Sequence, residues 1–391
     1  MQTLSLSPHD PAFIQDPYAA YDRARAQGPV LYWQDYDMAA AFDAATIQAL
    51  LRDRRLGREK LTETDVPDHL KDWALVEAHS MLDMEPPRHT RLRGLVLRAF
   101  TSRRIAGLRS DIEAVTSDLL HALPADTFDL IPAFCTQLPV RIIARLLGVP
   151  EAMSNDLLRW SNTMVAMYMA GRTRAVEDAA NQAAADFTDF LRGYIDSRRT
   201  APADDLITHL IAAEEDGTKL STDELIGTCI LLLNAGHEAT VHTLGNGVKC
   251  LLEHGTDTIA LSPDHITGTV EELLRYDPPL HMFTRIAYQD IQIGDDILKR
   301  GSEIGLMLGA AGRDPALYAE PQRFDPYRTA KTHAAFGGGL HFCVGAPLAR
   351  LELQIALPAL FKHLPDLKLA APPRYAPTYH FHNLTELLIT P

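Results

Sequence analysis

A mainly helical chain with a minor strand region is the fold class this sequence predicts, and three observations carry it. Most segments between breakers read as helices, while strand-like runs are short and few: "PVLYW", "MAAAFD", "DIQIGDDIL" and "GSEIGLMLGAAGRDP". A capping-box sequence, "STDE" at residues 221–224, starts a helix that meets few breaks before about Glu253. At 1.5 Å per residue that helix is roughly 50 Å long, enough to cross a domain. It is apolar on most sides and so belongs at the centre. Gly236 and His237 in its middle therefore stand out.

The remaining elements follow in order. Helices are expected over 93–100, 112–123, 138–147 and 175–197, with a shorter one in "TAPADDLITHLIAAEEDG". Residues 56–87 are polar and irregular and read as a long loop with a short helix, the kind that serves as a wall or lid. After the central helix come a helix ending in "VEELLRYDPP", the strand pieces, a low-structure run over 318–336, and a last helix from Pro347 to about Leu364. No repeat or low-complexity linker divides the chain. Residues 1–391 read as one domain.

Composition narrows the function. With 46% apolar and 23% charged residues the chain is an ordinary globular protein. A formal charge of −14 argues against nucleic acid or an anionic membrane as the main partner. The N-terminal "MQTLSLSPHDPAFIQDP" lacks a basic region followed by an apolar run, so a cytoplasmic protein is expected. The apolar stretch "LIGTCILLLNAG" is too short to span a bilayer. Of the four cysteines, Cys135, Cys229 and Cys250 sit among apolar neighbours and read as small buried hydrophobes. None forms a CxxC pair, which speaks against zinc and iron–sulfur sites.

Cys343 is different. It lies in "FGGGLHFCVG", residues 336–345, among three consecutive glycines. A phosphate loop needs GxxxxGK[ST], and Lys331 and Thr332 stand before the glycines, in the wrong order. GxGxxG and CxxCH also fail. What remains is a cysteine just ahead of a helix N-terminus, where free amides and the dipole favour a thiolate. Gly337, Gly338, Gly339 and Gly345 leave room for a flat, bulky group. A thiolate facing such a group suits the axial ligand of a haem iron, with His341 in reach of a carboxylate on it. Arg350 reads first as a surface charge. The plain alternative is a tight turn with Cys343 as a buried apolar residue.

Phe336, Gly339, Cys343 and Gly345 match the FxxGxxxCxG haem-binding signature, and the chain resembles the cytochrome P450 family, soluble bacterial type, over nearly its whole length. The resemblance implies the cytochrome P450 fold and non-covalent haem b (iron protoporphyrin IX), with Cys343 as thiolate ligand and Phe336 over the sulfur. "EELLR" is similar to the family's ExxR motif. Glu272 and Arg275 would then form a buried pair, joined by Arg323 or Arg328 from "PQRFDPYR", with Arg323 favoured. By itself the pair reads as a surface i,i+3 contact. "PPRHTRLRGLVLRAFTSRR" places six arginines in the 17 residues 88–104. It resembles the HxxxR segment, so His89 and Arg93, with Arg285 and His341, would bind the haem propionates.

"AGHEAT" resembles the family's oxygen-binding groove. Gly236 would leave space for dioxygen, Ala235 would face the substrate, and Glu238 would relay protons. Ala239 stands where the family usually has threonine, and Thr240 points about 100° around the helix. Three proton routes remain: ordered water, Thr240 through a distorted turn, or a substrate hydroxyl, with water or substrate preferred. His237 points elsewhere and has a side chain that titrates near neutrality. Leu280, Met282, Phe283 and Phe381 would line the pocket, while His281 and His382 would reach either an oxygenated substrate or solvent. The resemblance implies a monooxygenase that uses O2 on an apolar or partly oxygenated small molecule. Electrons would come from a separate ferredoxin and ferredoxin reductase, the ferredoxin docking on the remaining arginines. The alternative is a peroxide-dependent oxygenase or a reductase on the same fold.

Overall fold

The computed structural model describes residues 1–62, 65–169, 172–215, 218–329 and 332–391. Lys331 lies outside the described residues, as do positions 63–64 of the expected loop and 216–217 at the end of the shorter helix. The chain is 54% helix and 12% strand. No helix among the described residues is long and apolar enough to cross a membrane.

The central helix runs over Thr222–Glu253, and Ser221 closes both halves of the capping box with Glu224. Cys229 and Cys250 are buried in it, Cys135 beside it, and burial pushes all three thiols up. Gln137–Leu147, Arg174–Thr200, Ile266–Tyr276 and Ala346–His363 pack against it, Arg109–His121 packs on the first and last of these, and Arg88–Ala99 is tied to its start by Arg91 and Glu224. Sequence reading missed Ser154–Val165, whose polar start, "SNDLLRW", masks an apolar face of Leu157, Trp160, Met164 and Val165. The 56–87 segment holds the short helix Lys71–Ala78.

A six-stranded sheet forms a second core. Its order is Thr3–Leu4, Val30–Trp33, Met38–Ala41, Glu303–Met307, Met282–Ala287 and Leu56–Gly57. Met38–Ala41 pairs antiparallel with Val30–Trp33 but parallel with Glu303–Met307, so the two ends of the chain meet inside one sheet. Strand side chains alternate between faces. Met282 therefore turns into the sheet core, its sulfur 2.9 Å from where a Cβ on Gly305 would sit, and does not line a pocket. Phe283, on the other face, packs toward the cysteine loop.

Between the two cores sits a buried charge network. Arg275 grips Glu272 with two bonds of 2.7 Å and gives its other donors to the carbonyls of Gly312, Pro321 and Arg323. The third member is Arg328, whose Nε lies 3.2 Å from the Glu272 carboxylate. This corrects the expectation of Arg323, whose side chain is exposed and 3.6 Å from Glu320. Arg328 also bonds the carbonyls of Ala319, Glu320 and Arg323, so it staples the whole turn in place. Glu272→Gln is expected to cost about 3–5 kcal/mol in urea unfolding, as one buried partner is stranded. Arg323→Ala should change stability by no more than about 0.5 kcal/mol.

Candidate active site around Cys343

The glycines answer first to the protein itself. Gly337 and Gly339 have φ of +69° and +65°, in the left-handed region. A Cβ on Gly339 would lie 2.4 Å from the carbonyl oxygen of Leu51, and one on Gly337 would lie 3.0 Å from the Phe283 ring. The loop thus presses onto the end of the helix Ala44–Leu50 and onto the strand behind it. Gly345 differs, since its Cβ would meet only the Cys343 sulfur, at 3.8 Å. The Cys343 N–H donates to the Phe336 carbonyl at 3.0 Å and closes the loop.

Glu271 braces the same loop from below. It takes two bonds from Arg350, at 2.6 and 2.8 Å, and one contact from His333 at 3.1 Å. Burial works to raise its carboxyl, but these partners outweigh it and hold the group at about 2. Arg350 also lies over the Phe336 ring at 4.5 Å. It is neither a free surface charge nor a ligand for a carboxylate of a bound group.

Cys343 is accessible. Yet desolvation raises its thiol, more than the amides of Gly345 and Ala346 and the charges of Arg93 and Arg350 lower it. A side chain both accessible and desolvated lines an internal cleft. Leu340 and Phe342, flanking it, are also exposed. The expected low-pKa thiolate is therefore not a property of the polypeptide alone. A metal ion held at the sulfur would supply the missing positive charge, because a coordinating thiol is deprotonated outright.

The residues proposed to hold carboxylates gather nearby. His341 Nε2 is 2.8 Å from Glu85 Oε1, and the His89 ring lies 4.5 Å from that of His341. His89 is 1% exposed, its Nδ1 has no partner, and burial pushes its imidazole down to about 4. Arg93 donates to the Phe342 carbonyl at 2.6 Å. Arg285 is buried, donates to the Thr284 carbonyl at 2.8 Å, and is pushed down to about 10 by desolvation. Neither arginine has a carboxylate partner among the described residues. A buried guanidinium without counter-charge, as at Arg285, is costly, so this donor set, with the half-buried Arg93, fits a group that carries carboxylates. Sequence reading missed Glu85 and Arg58, whose N–H donates to Glu85 at 2.9 Å.

On the central helix Ala235 is exposed and Ala239, one turn on, is half-buried; together they form an accessible stripe. Gly236 does not open the cleft as expected, because its missing side chain would face Ile143 of a neighbouring helix at 3.6 Å. Thr240 is buried and donates to the Gly236 carbonyl at 2.9 Å, while Thr243 donates to that of Ala239 at 2.7 Å. Glu238 is bonded to His242 at 3.0 Å. His237 is buried and pushed down to about 4, so it stays neutral at neutral pH.

Leu280 and Phe381 meet through a strand-like bridge. Beside them His380 stacks on Phe381 at 5.1 Å and is pushed down to about 4 by burial while still partly accessible, the signature seen at Cys343. His281 and His382 meet neither substrate nor solvent. Both are buried; His382 Nδ1 and the Tyr18 hydroxyl each lie 2.8 Å from Asp277 Oδ1, and Tyr375 takes the other oxygen. Ligand atoms of Asp277, His281 and His382 lie within 4.8 Å of one another. The two imidazoles, however, are 4.3 Å apart and tilted across one another, Asp277 is saturated by donors, and Arg313 lies against Tyr18 at 3.3 Å. The cluster is a hydrogen-bonded tie between the chain's two ends.

Gly339→Ala is expected to cost about 2 kcal/mol or more in thermal unfolding, from a strained φ and a backbone clash. Gly345→Ala, at ordinary φ and contact distance, should cost about 1 kcal/mol or less.

Comparison with known proteins agrees with this geometry. Residues 266–369 match the family model described as Cytochrome P450. The chain is 40% identical to cytochrome P450 107B1 of Saccharopolyspora erythraea, over 93% of this chain and 91% of that protein. It is 36% identical to 6-deoxyerythronolide B hydroxylase of the same organism, over 92% and 91%. The crystal structure of P450BioI in complex with hexadec-9Z-enoic acid ligated acyl carrier protein superimposes with a TM-score of 0.92, at 34% identity, covering 97% of this chain and 99% of that one. Full-length similarity of this degree, joined to a cysteine loop braced by Glu271 and Glu272, makes the chain a monooxygenase of the cytochrome P450 family.

Proposed function

We propose that this protein is a cytoplasmic, O2-using monooxygenase formed as one domain of residues 1–391. It would hold haem b through Cys343 and draw electrons from a separate ferredoxin and ferredoxin reductase. The observation that carries the reading is the accessible yet desolvated sulfur of Cys343 near the Arg93 guanidinium, with neither Arg93 nor Arg285 paired to a carboxylate among the described residues. Arg93, Arg285 and His89 would bind the propionates, with His341 sharing its ring between them and Glu85. Bound there, haem supplies the iron chemistry by which the family inserts one oxygen atom from O2 into a substrate.

The side chains set the rest. Leu280, Phe283 and Phe381 make an apolar wall, and His380 adds one polar anchor, a pattern that suits a mostly apolar molecule carrying oxygen functions. A relative of Bacillus subtilis named as polyketide biosynthesis cytochrome P450 PksS supports a polyketide as the substrate class. Ala239 offers no hydroxyl and Thr240 spends its own on Gly236. Protons therefore pass from Glu238 to the cleft through water or through a hydroxyl of the substrate. The arginine-rich helix would receive the ferredoxin near Arg103 and the exposed Leu97. Arg88, Arg91 and Arg104 are engaged by Glu59, Glu224 and Asp204 and contribute less there.

The test is the Soret band of the ferric protein against pairs of compounds, each hydroxylated molecule beside its deoxy counterpart. Hydroxylated polyketides are expected to move the band to shorter wavelength and to be turned over with ferredoxin and reductase. Cys343→Ser should lose the thiolate spectrum. A Cys343→Ser protein with unchanged spectrum and activity would overturn the assignment.

A further inference from the structure

Glu238 keeps a partner that the family resemblance does not supply. His242 stands four residues on, and its Nε2 lies 3.0 Å from Glu238 Oε1. A carboxylate only accepts, so Nε2 carries the hydrogen. The other ring nitrogen, Nδ1, is buried and has no partner among the described residues. The bond to Glu238 is thus the one polar anchor the structure gives this ring. Both nearby hydroxyls, Thr240 and Thr243, are committed to backbone carbonyls. His237 is 3.7 Å from Glu238 Oε2, beyond hydrogen-bond reach.

We propose that His242 is a positioning residue for Glu238, its Nε2–H holding the carboxylate on the flank of the central helix beside the accessible stripe of Ala235 and Ala239. This rests on the reading of Glu238 as the proton-handling acid of the cleft.

The surroundings leave that task to His242. Burial works to raise the Glu238 carboxyl, yet it lies below its ordinary value because the His242 bond and charge, aided by His237, outweigh burial. Among the described residues, other elements offer nothing that competes. The helix Gln137–Leu147 presents Ile143 toward this turn, and its Arg145 is bound to Asp111 and Glu151. Arg159 pairs with Asp156, Arg192 with Asp223, and Glu77 with the Tyr168 hydroxyl. Take His242 away and burial is opposed only by His237, which is 3.7 Å off and neutral at neutral pH. The carboxyl then binds its proton more tightly, and the acid gives that proton up only at higher pH.

Four variants of the holoenzyme separate the possibilities: His242→Phe, His242→Asn, Glu238→Gln and the double variant Glu238→Gln with His242→Phe. One readout is coupling, the product formed per reducing equivalent, across pH. The other is the infrared stretch of a protonated carboxyl. His242→Phe is expected to move the coupling profile up by about one pH unit, a tenfold shift in the protonation equilibrium. It should also show a carboxyl band near neutral pH that the double variant lacks. His242→Asn keeps an N–H donor at the same helical spacing and should stay close to the parent. A His242→Phe protein with the parent's profile and spectrum, while Glu238→Gln is poorly coupled, overturns this inference alone. A Glu238→Gln protein that couples normally overturns the role of Glu238 itself, and the inference with it.

Discussion

Everything at this site hangs on a carboxylate that has no water to solvate it. Glu272 is 3% exposed, and a charge so placed is tolerable only where geometry gives it a full set of donors. Arg275, Arg328 and the Asp325 N–H provide them. Each donor is itself tied to a different stretch of chain, so satisfying one charge fixes a helix, a turn and the approach to the cysteine loop together. Glu271, its neighbour in sequence, does the same for the loop through Arg350 and His333. Two adjacent glutamates on successive positions of one helix thus hold the meander on one side and the cysteine loop on the other.

How much of this was legible in the sequence depended on whether a residue acts through spacing or through distant partners. The capping box at Ser221, the Glu272–Arg275 spacing and the cysteine signature are all local patterns, and the structure carries the first two where they were expected. Arg328 against Arg323 was not decidable, because both stand in one irregular turn and only the path of that turn chooses. The first three glycines were legible as needed, but their neighbours in the fold were not. They admit Leu51 and Phe283, contacts separated from them by long stretches of chain. Met282 and Phe283 required the sheet register to be told apart. His242 was within reach of sequence reasoning, since four residues is one helical turn and Glu238 was already singled out.

Polar groups divide sharply between the two kinds of buried environment. In the Asp277 cluster, two tyrosines and His382 saturate the carboxylate, which lies well below its usual range. At the cleft, His89 and His380 sit where burial disfavours their charged forms. The first arrangement makes a rigid joint. The second leaves neutral, underused ring nitrogens close to an accessible cavity wall, where a ligand's own groups complete them.

The mixed sheet has a consequence for how the protein comes into being. Met38–Ala41 is hydrogen-bonded to Glu303–Met307, and Gly339 rests on Leu51. A ribosome releases chain from the N-terminus at about 5–20 residues per second. The first hairpin therefore waits, with one edge bare, for a partner made many seconds later. Its alanine-rich strand, Met38 to Ala41, offers little apolar bulk to an intruding chain during that wait. The cysteine loop emerges long after Leu51, on which it rests, so the site cannot close until that later stretch has been made.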